Sequence, residues 1–226
     1  LPLRVAVVRD FWTNLERTTI PTFEEAKGAG LDISLIKGGH EAVIGPRDDP
    51  FVRFWFFGLD RQEDADNLQG FTCGLFWPEE VAPAAGVASG MSAAVLGLGV
   101  TCLRQPSVPP RLIVSMNPPD KNHWILRAEQ FLADRGLKGV QVRHFVIPPG
   151  EKSAHFRTLA KLGKGEAWAH AADAFDAYRS RNRVFLEAIG RHDLVTRLVE
   201  GEIGEIRLGT AVVPNFSRLL HVAKGP

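Results

Sequence analysis

The sequence predicts an α/β fold in which a mainly parallel sheet is flanked by helices. Apolar runs of strand length alternate with crossovers of a dozen residues or more, and parallel strands need such crossovers to join them. Some of these runs, among them residues 52–57 and 111–116, end abruptly in polar or acidic residues. Buried parallel strands end in this way when they deliver side chains to the carboxyl edge of a sheet. We therefore expect functional residues at these strand ends.

The first half of the chain is predicted to contain strands, one hairpin and short helices. Residues 5–8 form a buried strand, and residues 11–27 have helical spacing that Pro21 must break or restart. A Gly-Gly turn between apolar runs then predicts a hairpin of residues 33–36 and 42–44. The next predicted elements are a strand at residues 52–57, an acidic helix at 62–68, a strand at 72–77 and a loosely packed helix within 81–99.

The second half becomes mostly helical. Residues 111–116 are predicted as a strand, residues 124–135 as a helix capped by Gly136, and residues 140–147 as a further strand. Beyond residue 150 the chain is rich in Ala, Arg, Glu and Leu at helical spacing. The expected parts are a core at residues 1–150, a helical appendage at 151–203 and a tail at 204–226 that leads towards something further.

Composition excludes several classes of protein. A net charge of +1, with 45% hydrophobic and 23% charged residues, is ordinary for a globular protein and gives no overall nucleic-acid signal. Cys73 and Cys102 have no paired spacing and are expected to be buried, reduced thiols. No apolar stretch of about 18 residues occurs, so we expect an intracellular protein with no membrane segment. Because the chain begins at Leu1 rather than Met, we interpret it as a fragment whose upstream part is missing.

A series of motifs follows in order along most of the chain. Residues 7–19 and 201–222 belong to it. Between them stand Gly58-Leu-Asp-Arg-Gln-Glu-Asp64, Asn67-Leu-Gln-Gly70, a strand ending in Glu79, Ser115-Met-Asn-Pro-Pro-Asp120 and His123-Trp124. In this order they resemble the ATPase domain of the large terminase subunit of tailed bacteriophages or prophages. Residues 201–222 resemble the join to the nuclease domain of that family, which the sequence lacks. The domain would be P-loop NTPase-like.

The resemblance implies a motor that hydrolyses ATP with magnesium. Hydrolysis at the subunit interfaces of a homo-oligomeric ring would drive double-stranded DNA into a capsid, with the portal protein and the small terminase subunit as partners. The implied location is the cytoplasm of an infected or lysogenic bacterial host, with no membrane partner. No G-x-x-x-x-G-K-[ST] motif occurs in the sequence. We expect the phosphate loop upstream of Leu1, and poor ATP binding by the chain as given.

Two alternatives to this motor remain open. The first is a remnant of the same fold that does not hydrolyse ATP and serves as a binding or assembly module. The second, more distant alternative is a P-loop helicase or another nucleic-acid translocase. A phosphate loop upstream of this sequence distinguishes the motor from the remnant, and stimulation by single strands distinguishes the helicase.

Acidic residues after the strand at 72–77 are the first candidates for catalysis. Glu79 lines up with the glutamate that activates water in the terminase family, which places Pro78 where an acidic magnesium partner is common. In an alternative register, Glu79 lies on the metal side and Glu80 is catalytic. The non-catalytic interpretation is that both carboxylates only start a helix, since acids favour a helix N-terminus.

Asn117 follows the strand at residues 111–116. It resembles the polar residue of the motif that couples hydrolysis to movement, where it would contact the phosphate side of the nucleotide. The alternative is that Asn117 and the two prolines after it form only a stiff turn.

The resemblance also implies an arginine that acts across the ring interface. Many terminases place it at the position of Gln69, so Arg61 is the substitute candidate, because a guanidinium can pair with the charge of a transferring phosphate. A surface ion pair with Glu63 or Asp64 is the other interpretation of Arg61. Arg9, at the end of the first strand, is a second candidate for nucleotide contact or for a structural ion pair.

A basic segment lies in the helical appendage. Arg179, Arg181 and Arg183 flank Asn182 and are candidates for tracking DNA phosphates. A solvated helix face is the alternative.

Overall fold

The computed structural model describes residues 1–28, 30–59, 62–82, 90–135, 149–161 and 167–203. Four sequence predictions fall outside these ranges: the role of Arg61, the Gly136 cap, the strand at residues 140–147 and the tail at 204–226. The division at residue 150 stays a prediction.

A six-stranded sheet forms the centre of the fold, in the order β2-β3-β4-β1-β5-β6. β1 runs parallel to β4 and β5, β6 runs parallel to β5, and β2, β3 and β4 form antiparallel pairs. The predicted α/β class, a mainly parallel sheet flanked by helices, is confirmed. The strands are β1 (Leu3–Arg9), β2 (Ile33–Ile36), β3 (Glu41–Ile44), β4 (Val52–Gly58), β5 (Leu75–Pro78) and β6 (Arg111–Leu112).

Helices flank the sheet, and all the described elements after the last strand are helical. The longest is α7, which ends where Gly190 adopts a φ of 71° and the Arg191 amide donates to the Leu186 carbonyl. No described helix is long and apolar enough to cross a membrane. The helices are α1 (Trp12–Asn14), α2 (Ile20–Gly28), α3 (Gln62–Gly70), α4 (Ala93–Cys102), α5 (Trp124–Arg135), α6 (Pro149–Leu159), α7 (Ala167–Ala188) and α8 (His192–Leu194), with π-helical turns at Leu15–Thr19 and Val195–Val199.

β1 lies between β4 and β5, and an apolar cluster covers each of its two faces. Ala6 and Val8 point into one apolar cluster, with Phe76, and Val5 and Val7 point into the other. This two-sided burial explains why the strand is a continuous apolar run rather than an alternating one.

The helical segment after β1 bends without breaking. Pro21 lacks an amide hydrogen and is the second residue of α2. The turn before it widens into the π-helix Leu15–Thr19, where the Ile20 amide donates to the Leu15 carbonyl five residues back. The prediction that Pro21 breaks or restarts the helix is therefore met by a change of helix type.

Glycine allows a helix to pack closely on the sheet at two places. A Cβ on Gly58, the last residue of β4, would lie 2.4 Å from the Trp12 backbone nitrogen. A Cβ on Gly99 in α4 would lie 2.0 Å from the Phe76 ring on β5. Neither position leaves room for a side chain, so the first and fourth helices sit directly against the sheet.

Two predicted elements differ from the observed ones. The helix expected within residues 81–99 is α4, which begins only at Ala93. The strand expected at 111–116 is shorter, because Pro78 on the neighbouring β5 has no amide hydrogen to donate to β6. Beyond that gap, the Ser115 amide still donates to the Pro78 carbonyl at 3.2 Å.

The cysteines are free and buried, as predicted. Burial raises the pKa of the Cys73 thiol to about 11, and the neighbouring Cys102 adds to the effect. Burial also raises the pKa of Cys102, whose thiol donates to the Leu68 carbonyl at 3.0 Å. Both thiols therefore stay protonated at neutral pH.

Candidate functional site

Three parallel strands deliver polar residues to one edge of the sheet. β1 ends at Arg9, and β5 is followed directly by Glu79 and Glu80. The Glu79 amide donates to the Val8 carbonyl at 2.9 Å, and Glu79 forms a bridge with Ser115. The backbone of Glu79 is therefore fixed between β1 and the continuation of β6, as the sequence predicts for a residue at the carboxyl edge.

Arg9 lies between the two acidic side chains. It is only 4% exposed. Its Nη2 donates to Glu80 Oε2 at 2.6 Å, and its Nη1 lies 3.6 Å from Glu79 Oε2. A buried guanidinium needs such partners, because an unpaired charge in this position is strongly destabilising. Arg9 forms the ion pair that was one of its two sequence interpretations, and its contact with nucleotide stays a prediction.

Two threonines complete the cluster, and the sequence analysis gave them no role. The Thr19 hydroxyl donates to Glu79 Oε2, and Arg9 Nη1 donates to Thr18 Oγ1 at 2.5 Å. The Thr18 hydroxyl in turn donates to the Asn14 carbonyl at 2.7 Å. Both threonines lie in the π-helical turn before Pro21.

Glu80 has an uncommon backbone conformation. Its φ of 51° lies in the left-handed region, which few residues other than glycine occupy. The Glu80 side chain is 45% exposed and the Glu79 side chain 20%. Glu80 is therefore the more solvent-accessible carboxylate and Glu79 the more enclosed one, and backbone strain at such a position is typical of functional sites.

The carboxylates fit one mode of magnesium binding. Mg²⁺ binds through one or two carboxylates, keeps several waters and takes its remaining ligands from phosphates. Glu79 and Glu80 supply two carboxylates, and Thr19 supplies a hydroxyl oxygen beside them. No group of three or more His, Cys, Asp or Glu side chains in the described part of the chain is arranged to hold a metal. Arg9 lies against one oxygen of each carboxylate, Glu79 Oε2 and Glu80 Oε2, so these two oxygens already have a cationic partner.

Asn117 lies near this edge but outside the cluster. It is two residues beyond Ser115, whose hydroxyl accepts a hydrogen bond from Trp77 Nε1 at 2.8 Å. Within the described ranges, no hydrogen bond or ion pair joins Asn117 to Arg9 or to Glu79. Its proposed contact with phosphate stays a prediction.

The loop after Asn117 is held by an arginine from the helical part of the chain. Arg197 is 1% exposed, and its Nε donates to the Pro118 carbonyl at 2.9 Å. Burial lowers the pKa of Arg197, and the carboxylates of Asp120 and Asp193 act in the opposite direction. The sequence analysis missed this contact, which spans 79 positions of the chain.

The candidate DNA-binding arginines lie on α7. Arg179 Nη2 donates to the Val199 carbonyl at 3.0 Å, and Arg183 Nη1 lies 3.1 Å from Glu200 Oε1. These two arginines hold residues 199–200 against the helix, whereas Arg181 is exposed. Contact of the three with DNA stays a prediction.

The fold belongs to the α/β class, with a mainly parallel sheet that carries acidic side chains at its carboxyl edge. No protein-family model and no curated protein matches the sequence. The chain is structurally similar to large terminase structures from a thermophilic bacteriophage, at 17% identity over 59% of this chain. A structure in one crystal form has a TM-score of 0.47, a complex with ADP 0.45 and a complex with ATP-gamma-S 0.43. The match spans under a third of those chains, 30–31%.

Proposed function

We propose that this chain is the ATPase domain of a DNA-packaging motor of the large-terminase type. The observation that carries the proposal is the cluster at the carboxyl edge, where Glu79, Glu80, Arg9 and Thr19 meet between three parallel strands. Phosphoryl transfer by such motors depends on positioning and charge stabilisation, and carboxylates at the end of a central strand supply part of both. The order of motifs along the sequence supports the same class.

Glu79 is the residue that orients the attacking water in this proposal. Its backbone is fixed by the Val8 carbonyl and the Ser115 bridge, and its carboxylate is held by Thr19. A positioned carboxylate can accept the proton of a water that attacks a phosphate. Magnesium, when bound with nucleotide, would neutralise charge on the phosphates, and Glu80 is the carboxylate open enough to reach it.

The remaining parts of the motor are proposals that follow from the family. In this proposal a phosphate loop binds the nucleotide phosphates, and the sequence itself contains no G-x-x-x-x-G-K-[ST] motif. Double-stranded DNA would be the translocated substrate, a ring of this chain the working assembly, and the portal protein and the small terminase subunit its partners. Asn117 would respond to loss of the γ-phosphate.

The test compares ATP binding and turnover by this chain with those of a version extended upstream to include a phosphate loop. Each is assayed with magnesium, with and without Glu79→Gln. We expect turnover only in the extended form and a loss of about 10²–10⁴-fold in kcat with Glu79→Gln. Glu24→Gln, at an exposed position of α2, is the matched control and should leave turnover unchanged.

A second candidate is a domain of this fold that binds partners without hydrolysing ATP. Two observations favour this candidate. The Arg9 guanidinium forms ion pairs with both acidic side chains, and the sequence contains no phosphate-loop motif. If the extended form binds no ATP, this candidate replaces the motor. If it binds and hydrolyses ATP, and Glu79→Gln abolishes turnover without abolishing binding, the motor stands.

A further inference from the structure

We propose that Arg4, Arg53 and Trp55 form a second site, separate from the acidic cluster, which binds a backbone phosphate of a nucleic acid. The proposal rests on the proposed function, because it assigns a contact to the DNA that the motor would move. A cavity of about 190 Å³ lies at the start of β1 and β4. It is lined by the first two residues of the chain and by Arg4, Arg53, Trp55, Thr72, Gln105 and Pro106.

Aromatic rings hold the first of these guanidinium groups. The Arg4 Cζ lies 5.1 Å from the centroid of the Trp55 ring and 4.7 Å from that of Phe71. Stacking on aromatic faces fixes a guanidinium plane and leaves its N–H groups at the edge available. In the described part of the chain, no carboxylate forms an ion pair with Arg4. Its charge is therefore placed beside the cavity without an acidic partner.

Arg53 brings a second positive charge to the same ring. Its Cζ lies 5.8 Å from the Trp55 centroid, and its Nη1 lies 3.7 Å from Glu41 Oε2. Its Nε is buried and has no hydrogen-bond partner among the described residues.

A third arginine extends the positive surface. Arg104 Nε donates to Thr72 Oγ1 at 3.2 Å, and Thr72 lines the cavity. Among the described residues, the contact of Arg53 with Glu41 is the one ion pair that these three arginines form. Gln105 contributes rigidity rather than charge, since its side chain accepts from the Arg4 amide and donates to the Pro2 carbonyl.

The size and chemistry of the cavity select the ligand. At about 190 Å³ it is smaller than the roughly 300–1,000 Å³ that enclose a whole drug-sized molecule. It is large enough for one phosphate and the atoms that flank it. Planar guanidinium groups match phosphate oxygens with paired N–H donors. A polymer that seats one phosphate in the cavity and continues across the neighbouring arginine therefore fits better than a compact ligand.

The site lies at the opposite end of β1 from the acidic cluster. Arg4 and Arg9 are five residues apart on this strand, about 16 Å along its axis. Nucleic acid at the amino edge would therefore leave the carboxyl edge open to nucleotide.

The test measures binding of fluorescently labelled double-stranded DNA to this chain by anisotropy, without nucleotide, across a salt series. The variants are Arg53→Gln and Arg4→Gln. We expect each to weaken binding about tenfold at low salt and to reduce the slope of log K against log salt by about 0.9. Arg127→Gln, an exposed position of α5 that does not line the cavity, is the matched control and should change neither quantity.

Folding controls and a variant that retains the charge complete the test. Circular dichroism and thermal unfolding establish that each variant is folded, and Arg53→Lys retains the charge in case Arg53→Gln does not fold. We expect Arg53→Lys to preserve the salt slope while lowering affinity, because an ammonium lacks the paired donors. An unchanged slope in both Arg4→Gln and Arg53→Gln overturns the proposal. Saturable binding of inorganic phosphate to Arg4 and Arg53 without any binding of DNA to this chain would show a site for small anions and would also overturn it.

This experiment is independent of ATP turnover. Loss of turnover in Glu79→Gln with intact DNA binding supports both assignments. Absence of turnover in any form, with DNA binding that depends on Arg4 and Arg53, would remove the motor and retain the phosphate site. Turnover together with DNA binding that does not depend on these arginines would retain the motor and remove the phosphate site.

Discussion

Arg9 offers the sharpest test of the acidic cluster, through the substitution Arg9→Met. Methionine keeps much of the length of the side chain but removes the charge and the hydrogen bonds to Thr18 and Glu80. Removing one partner of a fully buried ion pair costs about 3–5 kcal/mol. Here the remaining carboxylates of Glu79 and Glu80 are 20% and 45% exposed, so water partly solvates them. We therefore expect a smaller loss, about 2 kcal/mol.

The assay for Arg9→Met is urea unfolding followed by tryptophan fluorescence, together with the thermal midpoint. For a chain of this size, about 2 kcal/mol corresponds to a lower Tm by roughly 4–8 °C. Arg17→Met is the matched control, because Arg17 is exposed and lies in the neighbouring turn. We expect that control to change stability by less than about 0.5 kcal/mol.

A double-mutant cycle then isolates the pair. Glu80→Gln is combined with Arg9→Met, and the two losses are compared with that of the double variant. Residues in one ion-pair network show interaction energies of about 0.5–3 kcal/mol, and we expect at least 1 kcal/mol here. Additivity within about 0.3 kcal/mol would refute the argument, since it would mean that the guanidinium and the carboxylate do not interact in solution.

Three further predictions concern packing and protonation. Gly99→Ala places a methyl group against the Phe76 ring and should destabilise the protein by about 1–3 kcal/mol in urea unfolding, whereas Gly97→Ala in the same helix meets no atom within 4 Å and should stabilise it slightly. The Cys73 thiol, with a pKa of about 11, should resist a thiol-specific reagent at pH 8 until the protein unfolds. Its raised pKa also means that stability declines as pH rises above 9, because the unfolded thiol ionises first; Cys73→Ala should flatten that decline. Burial lowers the pKa of His123, so the unfolded state binds more protons and stability should fall as pH decreases below 6.5, an effect that His123→Gln should reduce in urea titrations at several pH values.

Sequence patterns predicted the strands that are apolar along most of their length. β1 and β4 are apolar runs because both lie inside the sheet, and the Gly-Gly turn placed the β2–β3 hairpin correctly. The short β6 was not predictable from its own residues. Its ladder is interrupted by Pro78, which lies on another strand and lacks the donor that β6 needs.

The sequence predicted where the candidate site lies, but not which side chains contact one another there. Acidic residues after an apolar run indicated the carboxyl edge, and the structure places Glu79 and Glu80 there. Which partner each carboxylate takes depends on residues about 60 to 70 positions away, such as Thr19 and Arg9. No periodicity within a single element carries that information. The buried Arg197 is missed for the same reason, because its partner belongs to a distant loop.

The contact between Arg197 and Pro118 has a consequence for how freely the surrounding sequence can vary. The acceptor is a backbone carbonyl, which every amino acid possesses. A substitution at position 118 that keeps the local backbone path therefore leaves the acceptor in place. Arg179 likewise donates to the carbonyl of Val199 rather than to its side chain. In both contacts the specificity resides on the arginine, so the loop and the segment that it fastens can drift in sequence while the two arginines cannot.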